Sequence, residues 1–243
     1  MVCLICGEPK TIRAHLIPSS FAQEVSSAKG QKQLIVQQSS RRIKKTNTGL
    51  YDTDILCASC DGLLGGHEGY VFDYLKKARN YLATPNTLLK VNSIDGDRFV
   101  KFGAGLCWKY CVTKSDFGRI DIGPYTNVLA NVAFERFPIP PSVDIAMFQL
   151  QAGDTEAYFY RAPLPDRVDS LNAVRFSVGG FVFFLKIDRR RNPSAPPPEC
   201  WLRGRTSGAF VVVEANMFEE WRQYKDIATH SSVRSYFDRM RGA

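Results

Sequence analysis

The sequence predicts an α+β protein with a small domain over residues 1–90 and an α+β domain with an antiparallel sheet over residues 91–243. Two Cys-x-x-Cys pairs in the first domain indicate a small fold built around a metal ion. After residue 91, helical and extended patterns are mixed, and Gly179-Gly180 separates two apolar runs as in a β-hairpin. A chain of 243 residues, 44% hydrophobic and 23% charged, can bury a true core, which excludes a mainly disordered or low-complexity protein.

Residues 1–90 contain three segments. Residues 1–26 begin with a Cys-x-x-Cys turn. Residues 27–50 are rich in Gln, Ser, Lys and Arg, which predicts a polar hairpin or loop around residues 33–36. Residues 51–82 carry the second Cys-x-x-Cys turn and then a helix, because apolar side chains recur on one stripe at Tyr70, Val71, Tyr74, Leu75 and Ala78.

Residues 91–243 show a second set of patterns. Helical spacing and composition predict helices over 99–114 and 124–136 and strands over 143–151, 156–161, 174–178, 181–187 and 210–213. A closing helix is predicted over 216–241, capped by Asn216, with acidic side chains near its start and basic ones near its end. This domain contains no recognisable catalytic motif.

The charge balance is basic and uneven. Thirty-two Lys and Arg against twenty-four Asp and Glu give a formal net charge of +8, and the first fifty residues hold eight basic and two acidic side chains. Half of these basic residues form a cluster that is either a solvated loop or a loop contacting nucleic-acid phosphates: Arg41, Arg42, Lys44 and Lys45. DNA or RNA is the expected partner.

Signals for export or membrane insertion are not seen in the sequence pattern. The N-terminus lacks a basic segment followed by an apolar one, and the longest apolar runs fall short of the ~18 residues that a membrane span needs. This pattern predicts a cytoplasmic protein without membrane association. Its thiols are expected to be reduced, so that paired cysteines bind metal rather than form disulfides.

The strongest signal is the two cysteine pairs of identical spacing: Cys3, Cys6, Cys57 and Cys60. A two-residue gap lets both sulfurs of a tight turn bind one ion, and two such turns complete a tetrahedral four-thiolate site suited to structural Zn²⁺. The alternative is two unrelated pairs of buried thiols. The three other cysteines are better explained by core packing: Cys107, Cys111 and Cys200.

Four stretches together resemble a known family: residues 3–6 (Cys-x-x-Cys), 14–18 (Ala-His-Leu-Ile-Pro), 55–61 (Ile-Leu-Cys-Ala-Ser-Cys-Asp) and 65–68 (Gly-Gly-His-Glu). In this order they are similar to the HNH nucleases, the ββα-metal group built on a treble-clef zinc knuckle, over the first third of the chain. The resemblance implies a metal-dependent endonuclease that hydrolyses phosphodiester bonds in DNA or RNA. It also implies a phage or host-defence setting.

The resemblance further implies roles for individual residues. The family's general base maps onto His15, and the metal ligand after the last knuckle cysteine maps onto Asp61. Ala14 and Gly65 stand where the family has further ligands, and Asp52 lies near the position of the Asn that braces the loop of the base. An imidazole with a pKa of about 6.5 suits the base, and Mg²⁺, Mn²⁺ or Ni²⁺ on carboxylates would neutralise the phosphate.

Two neighbouring residues compete for the place of a second ligand on the predicted helix. At about 100° per residue, Glu68 lies within about 20° of the face of Asp61, whereas His67 lies well round the helix. This geometry favours Glu68. The Gly65-Gly66 pair would let His67 turn inward if it delayed the start of the helix.

Two alternatives belong to a different functional class. The knuckle could be a catalytically inactive, zinc-stabilised binding module serving as an adaptor or inhibitor, or a nucleic-acid-binding regulator with residues 29–45 as its basic arm. Residues 91–243 would supply specificity, effector sensing, a homo-oligomer contact or a protein partner. A nuclease needs His15 to converge with Asp61 and with Glu68 or His67, whereas a binding module needs only the four cysteines.

Overall fold

The computed structural model describes residues 1–25, 33–36, 43–46, 49–80, 83–152, 155–156, 160–231 and 234–235. These residues form an α+β fold, as predicted, in which helices pack against a mainly antiparallel sheet. In this described part of the chain, no helix is long and apolar enough to cross a membrane.

Short strands organise the N-terminal part of the chain. β1 (Ala14–His15) pairs antiparallel with β4 (Tyr51–Asp52), which places His15 opposite Tyr51 and Ala14 opposite Asp52. β2 (Gln33–Val36) and β3 (Ile43–Thr46) form a separate antiparallel pair, which confirms the predicted hairpin. The short helix α1 (Ser19–Val25) follows β1.

The helix α2 (Ala58–Ala78) begins directly after Cys57 and runs for 21 residues. Its buried side chains recur every three or four positions and pack towards α3 (Gly96–Val112): Leu64, His67, Val71, Leu75 and Ala78. Acidic Asp61 in the first turn and two lysines in the last turn complement the helix dipole. The helix therefore starts before Gly65-Gly66, so these glycines do not delay it.

A seven-stranded sheet forms the rest of the core, in the order β5-β11-β6-β10-β9-β8, with β7 paired to β6. The strands are β5 (Leu88–Val91), β6 (Val143–Ala152), β7 (Thr155–Glu156), β8 (Arg161–Val168), β9 (Leu171–Val178), β10 (Phe181–Ile187) and β11 (Gly208–Glu214). Only the β6–β11 pairing within the described residues is parallel. The predicted β9–β10 hairpin is confirmed, and its Gly179 and Gly180 have φ angles of 59° and 80°, which favour glycine.

The sequence-based boundaries are wrong at two places. The strand predicted over 156–161 meets β7 at Glu156 and β8 at Arg161, residues 157–159 lie outside the described residues, and β8 beyond Arg161 was not predicted. Pro163 and Pro165 are tolerated in β8 because it lies at the end of the sheet order. The closing helix α5 (Glu219–Thr229) begins after Phe218 rather than at Asn216. Asn216 lies instead in a 3₁₀ turn and donates its side-chain N–H to Glu214. The predicted helix over 124–136 is α4 (Tyr125–Ala133).

A continuous hydrophobic cluster joins the N-terminal part to the sheet. Phe21 of α1 lies 6.0 Å from Phe102 of α3 between ring centroids, and Phe102 lies 6.0 Å from both Phe176 and Phe183 of the sheet. The predicted domain boundary after residue 90 falls inside β5, which ends at Val91. The helix α3 thus stands between the cysteine-bearing region and the sheet, with a face towards each.

Candidate metal centre and adjoining polar cluster

The paired cysteines come together at the N-terminal end of α2 from two loops: Cys3, Cys6, Cys57 and Cys60. The first loop is a tight turn, closed by a 3.0 Å hydrogen bond from the Gly7 N–H to the Cys3 carbonyl. A 3.0 Å bond from the Leu4 N–H to the Ile55 carbonyl joins it to the second loop. The second pair straddles the start of α2, so the helix itself positions two of the four sulfurs.

The four sulfur atoms are arranged for a single metal ion. All lie within 4.8 Å of one another, and Cys6 Sγ is 3.5 Å from Cys57 Sγ. Tetrahedral Zn²⁺ with bonds of about 2.3 Å separates its sulfur ligands by about 3.8 Å, so the group fits such an ion. The four cysteines can therefore bind a metal such as zinc. The backbone N–H of Cys60 lowers the pKa of the Cys57 thiol to about 6, whereas burial and the neighbouring sulfurs raise the pKa of Cys60. A bound cation would offset this repulsion between the sulfurs.

The other three cysteines have a different environment. Cys107 is fully buried, and burial raises the pKa of its thiol well above the usual value. Burial likewise raises the pKa of Cys111 and of Cys200 to about 11. These thiols stay protonated at neutral pH; Cys107 and Cys200 are buried, whereas Cys111 is only half-buried and, contrary to the prediction, does not belong to the core.

The predicted base, His15, lies half-buried at the end of β1. Its ring meets Tyr51 edge to face, with 6.1 Å between the ring centroids. The guanidinium group of exposed Arg13 lies over the same tyrosine ring, 5.4 Å from its centroid. An exposed positive charge and the imidazole therefore contact the same tyrosine ring.

A lysine from α3 connects His15 to α2. The Nζ atom of Lys109 donates hydrogen bonds to the His15 carbonyl oxygen at 2.6 Å and to Glu68 Oε1 at 2.8 Å. The Lys109 side chain is 1% exposed and the Glu68 side chain 18%, so this ion pair is largely desolvated. One ammonium group thus holds together the strand of the predicted base and the helix of the predicted ligands.

Asp61 belongs to the same electrostatic neighbourhood. It lies two turns before Glu68 on α2 and is half-buried. Burial raises the pKa of its carboxyl group, against the opposing influence of Lys109 and His15 and with that of Glu68. Lys109 thus contacts Glu68 and the backbone of His15 directly, and Asp61 lies two turns earlier on the same helix. Within the described residues, the His15 imidazole and the two carboxylates do not form a group close enough to share an ion.

The neighbouring His67 faces elsewhere. It is buried, and its Nε2 atom lies 3.5 Å from Glu135 Oε1, a carboxylate that also accepts a 2.6 Å hydrogen bond from Lys101. Burial lowers the pKa of His67. In the continuous helix α2, Glu68 lies on the face of Asp61 about two turns further along, whereas His67 does not, as the helical spacing indicates.

The residue at the bracing position also has a defined role. Asp52 is buried and accepts hydrogen bonds from Thr113 Oγ1 at 2.6 Å and from the Asp54 N–H at 2.9 Å. Because Asp52 pairs with Ala14, these bonds fix the β1–β4 pair against the end of α3. Asp52 therefore holds β1 in place, and with it His15.

The predicted nucleic-acid-binding cluster is only partly described. Arg41 and Arg42 lie outside the described residues. Lys44 and Lys45 belong to β3 and lie opposite Ile35 and Leu34 in the hairpin. Contact between this hairpin and nucleic acid stays a prediction.

Lys109 is the residue that the sequence interpretation missed. It lies in the otherwise apolar second half of α3, between buried Leu106 and Tyr110. A lysine in such a run carries a signal, because a lysine is almost never fully buried unless a partner within the fold compensates its charge. Glu68 and the His15 carbonyl are those partners.

The donor set between Asp61 and Glu68 does not fit a divalent cation. A Glu68 oxygen already accepts from the Lys109 ammonium group, Ala14 offers no ligand, and His67 faces Glu135. In the described part of the chain, only the four cysteines form a group of three or more His, Cys, Asp or Glu side chains close enough to share an ion. A divalent cation at this place would also lie beside a buried positive charge.

Comparison with known proteins gives no family assignment. No family model, no curated protein and no solved structure matches this chain. The resemblance to HNH nucleases therefore extends to short motifs only, and a function has to be inferred from the residues and geometry of the site.

Proposed function

We propose that the four-cysteine cluster holds a structural Zn²⁺ ion. Four thiolates complete a tetrahedral shell, which leaves no coordination position for a substrate and makes the metal part of the fold. Elemental analysis of freshly purified protein should give one zinc per chain. Less than half an equivalent would contradict the proposal.

Cysteine variants provide a matched test of this zinc site. Cys57→Ser should lose most of the zinc and most of the soluble yield, because it removes a ligand at the start of α2. Cys107→Ser, in the core but away from the cluster, should keep the full equivalent. Equal zinc content in the two variants would count against the cluster as the binding site.

We further propose that the chain is an HNH-type endonuclease that hydrolyses phosphodiester bonds in DNA or RNA. The observation that supports this function is that Lys109 joins the strand of His15 to Glu68 on the helix that also carries Asp61. A binding module would need no such link. The phage or host-defence setting implied by the motifs belongs to the same proposal.

Exposed Arg13, which lies over the same tyrosine ring that His15 contacts, can contact a nucleic-acid phosphate. The Nε2 atom of His15 is buried, so a water molecule must enter the site before the imidazole can take its proton. Next to Asp61 and Glu68, the exposed face of α2 carries four glycines, which leave the helix backbone bare: Gly62, Gly65, Gly66 and Gly69. A bulky sugar–phosphate chain can therefore lie close to the helix.

A cleavage assay tests the nuclease. Zinc-loaded protein is incubated with plasmid DNA and with RNA, in buffers with Mg²⁺, Mn²⁺ or Ni²⁺ and in one with no added divalent ion. His15→Ala should abolish cleavage and retain its zinc, whereas His230→Ala on the exposed C-terminal side should cleave as the wild type does. Cleavage that persists in His15→Ala, or a wild type inert in every buffer, would contradict the proposal.

A second candidate is a catalytically inactive binding module. Two observations favour it: Glu68 is already paired with Lys109, and Ala14 stands where the family has a metal ligand. This candidate predicts salt-dependent binding to DNA or RNA, or to a protein partner through residues 91–243, without cleavage. Replacing Arg41, Arg42, Lys44 and Lys45 should then flatten the slope of log affinity against log salt by about 0.9 for each lost phosphate contact on duplex DNA. An unchanged slope would exclude this hairpin as the contact.

A further inference from the structure

The ammonium group of Lys109 occupies the place beside Glu68 where a cation would bind. Its Nζ atom is 2.8 Å from Glu68 Oε1 and 2.6 Å from the His15 carbonyl oxygen. A carboxylate oxygen and a backbone carbonyl oxygen are also ligands that a hard divalent cation takes from proteins. The lysine therefore uses two oxygen atoms of the kind that would ligate such an ion.

Burial stabilises the contact between Lys109 and Glu68 in the folded protein. The Lys109 side chain is 1% exposed, and a charge so far from water needs the partners it has. A divalent cation at the Glu68 oxygen that Lys109 uses would have to displace the lysine, and one at the other Glu68 oxygen would lie beside a buried ammonium group. Repulsion between such charges is strong in a desolvated site.

We infer that Lys109 is the resident cation beside Glu68 and the His15 carbonyl oxygen, and that the carboxylates of Asp61 and Glu68 bind no divalent metal ion. Its consequence for the reaction rests on the proposed function: if the chain is a nuclease, hydrolysis would proceed without a metal ion at these carboxylates. Lys109 is then a positioning residue that fixes Glu68 and the strand of His15. The zinc at the cysteines is unaffected, because its ligands are separate.

Binding of Mn²⁺ to the zinc-loaded protein tests this inference without any nucleic acid. Mn²⁺ prefers oxygen ligands and competes poorly for four thiolates, so it probes the carboxylates. Electron paramagnetic resonance measures the free Mn²⁺ ion directly. The wild type and Glu68→Gln should bind Mn²⁺ equally weakly, whereas Lys109→Met should gain a site at least about tenfold tighter.

Matched variants identify where the gained ion lies. The new site should disappear in Lys109→Met/Glu68→Gln, and Lys101→Met, which removes the other paired lysine of α3, should behave as the wild type. A wild-type Mn²⁺ site that is lost in Glu68→Gln would overturn the inference. This comparison of the wild type with Glu68→Gln is decisive even if Lys109→Met does not fold. A folded Lys109→Met protein without a new site would overturn it as well. A protein that fails to cleave nucleic acid contradicts the nuclease alone, since Mn²⁺ binding is measured independently.

Discussion

The helices α2 and α3 pack against each other, and both contain several glycines, but for opposite reasons. In α3, a methyl group added at Gly96 would lie 1.8 Å from the Leu202 carbonyl oxygen, and one added at Gly105 would lie 2.9 Å from Leu64 Cδ2. In α2, added methyl groups would meet no described atom within 4 Å at any of four positions: Gly62, Gly65, Gly66 and Gly69. Packing requires glycine in α3 and does not require it in α2.

The contrast indicates which contacts account for the glycines of each helix. A glycine in a helix interior costs about 1 kcal/mol relative to alanine, so the four glycines weaken α2 without improving its packing. They lie on its exposed face, next to the edge that carries Asp61 and Glu68. Close contacts inside the fold explain the glycines of α3. The exposed face of α2, by contrast, suits a partner that must approach the helix backbone closely.

The largest expected effect comes from placing a side chain where α3 has no room. Gly96→Ala would drive a methyl group into the backbone at Leu202, which cannot move as a side-chain tip can. We expect at least about 3 kcal/mol loss in the free energy of unfolding, or no soluble protein. Urea unfolding of Gly96→Ala beside Gly66→Ala measures the contrast. Equal stability of the two variants would break the comparison between the helices.

A second prediction concerns the two lysine–glutamate pairs of α3. Lys109–Glu68, which joins α3 to α2, is nearly buried, whereas Lys101–Glu135 is 25% and 43% exposed. Lys109→Met should cost about 3–5 kcal/mol, because it leaves the Glu68 charge desolvated and unpaired. Lys101→Met should cost about 1 kcal/mol or less, since water solvates the remaining carboxylate.

A double variant separates the charge from the packing in this prediction. Lys109→Met/Glu68→Leu removes both charges and should recover most of the stability that Lys109→Met loses. Urea unfolding of the wild type and the three variants completes the cycle. A Lys109→Met protein as stable as Lys101→Met would show that Glu68 is well solvated, against the burial described here.

Periodic elements were predictable from the sequence, and contacts between distant segments were not. The apolar stripe of α2, the helical spacing of α3 and the Gly179-Gly180 hairpin are local patterns, and the structure contains all three. β5 was not predicted, and it is stabilised by pairing with β11 far along the chain. The prolines of β8 are acceptable only because of its place in the sheet order.

The candidate site divides in the same way. The spacing within each cysteine pair and the angle between Asp61 and Glu68 are properties of a turn and of a helix, so both could be derived from the sequence. Lys109 could not be assigned, because its partners lie 41 and 94 residues away in the chain. That contact places a lysine ammonium group at Glu68, one of the carboxylates at which the sequence predicts a divalent cation.

A third prediction uses pH to test the buried face of α2. Burial lowers the pKa of His67 in the folded protein, so the unfolded chain takes up a proton at a higher pH than the folded one. The free energy of unfolding should therefore fall as the pH drops below about 6.5, by about 1.4 kcal/mol for each unit by which the two pKa values differ. The groups facing the imidazole are charged side chains of α3 and its neighbours: Glu135, Lys101, Arg98 and Asp95.

The measurement compares the wild type with His67→Gln by urea unfolding from about pH 8 to about pH 5. The variant should lose less stability over this range, because it removes the group that the unfolded chain protonates first. The zinc site titrates in both proteins and cancels in the difference. Identical pH profiles would mean that His67 is as well solvated in the folded protein as in the unfolded chain.

The smallest expected effect is a gain in stability on the exposed face of α2. Gly65→Ala and Gly66→Ala should each raise the free energy of unfolding by about 1 kcal/mol, since the methyl group meets open space and alanine restricts the unfolded chain. Gly105→Ala in α3 is the matched control and should lower it, because Leu64 would have to move. If a nucleic acid lies against this face, the stabilised double variant Gly65→Ala/Gly66→Ala should also bind or cleave DNA or RNA more weakly than the wild type. A variant that is more stable and equally active would mean that no substrate approaches the helix there. Neither packing nor substrate binding would then explain the glycines of α2.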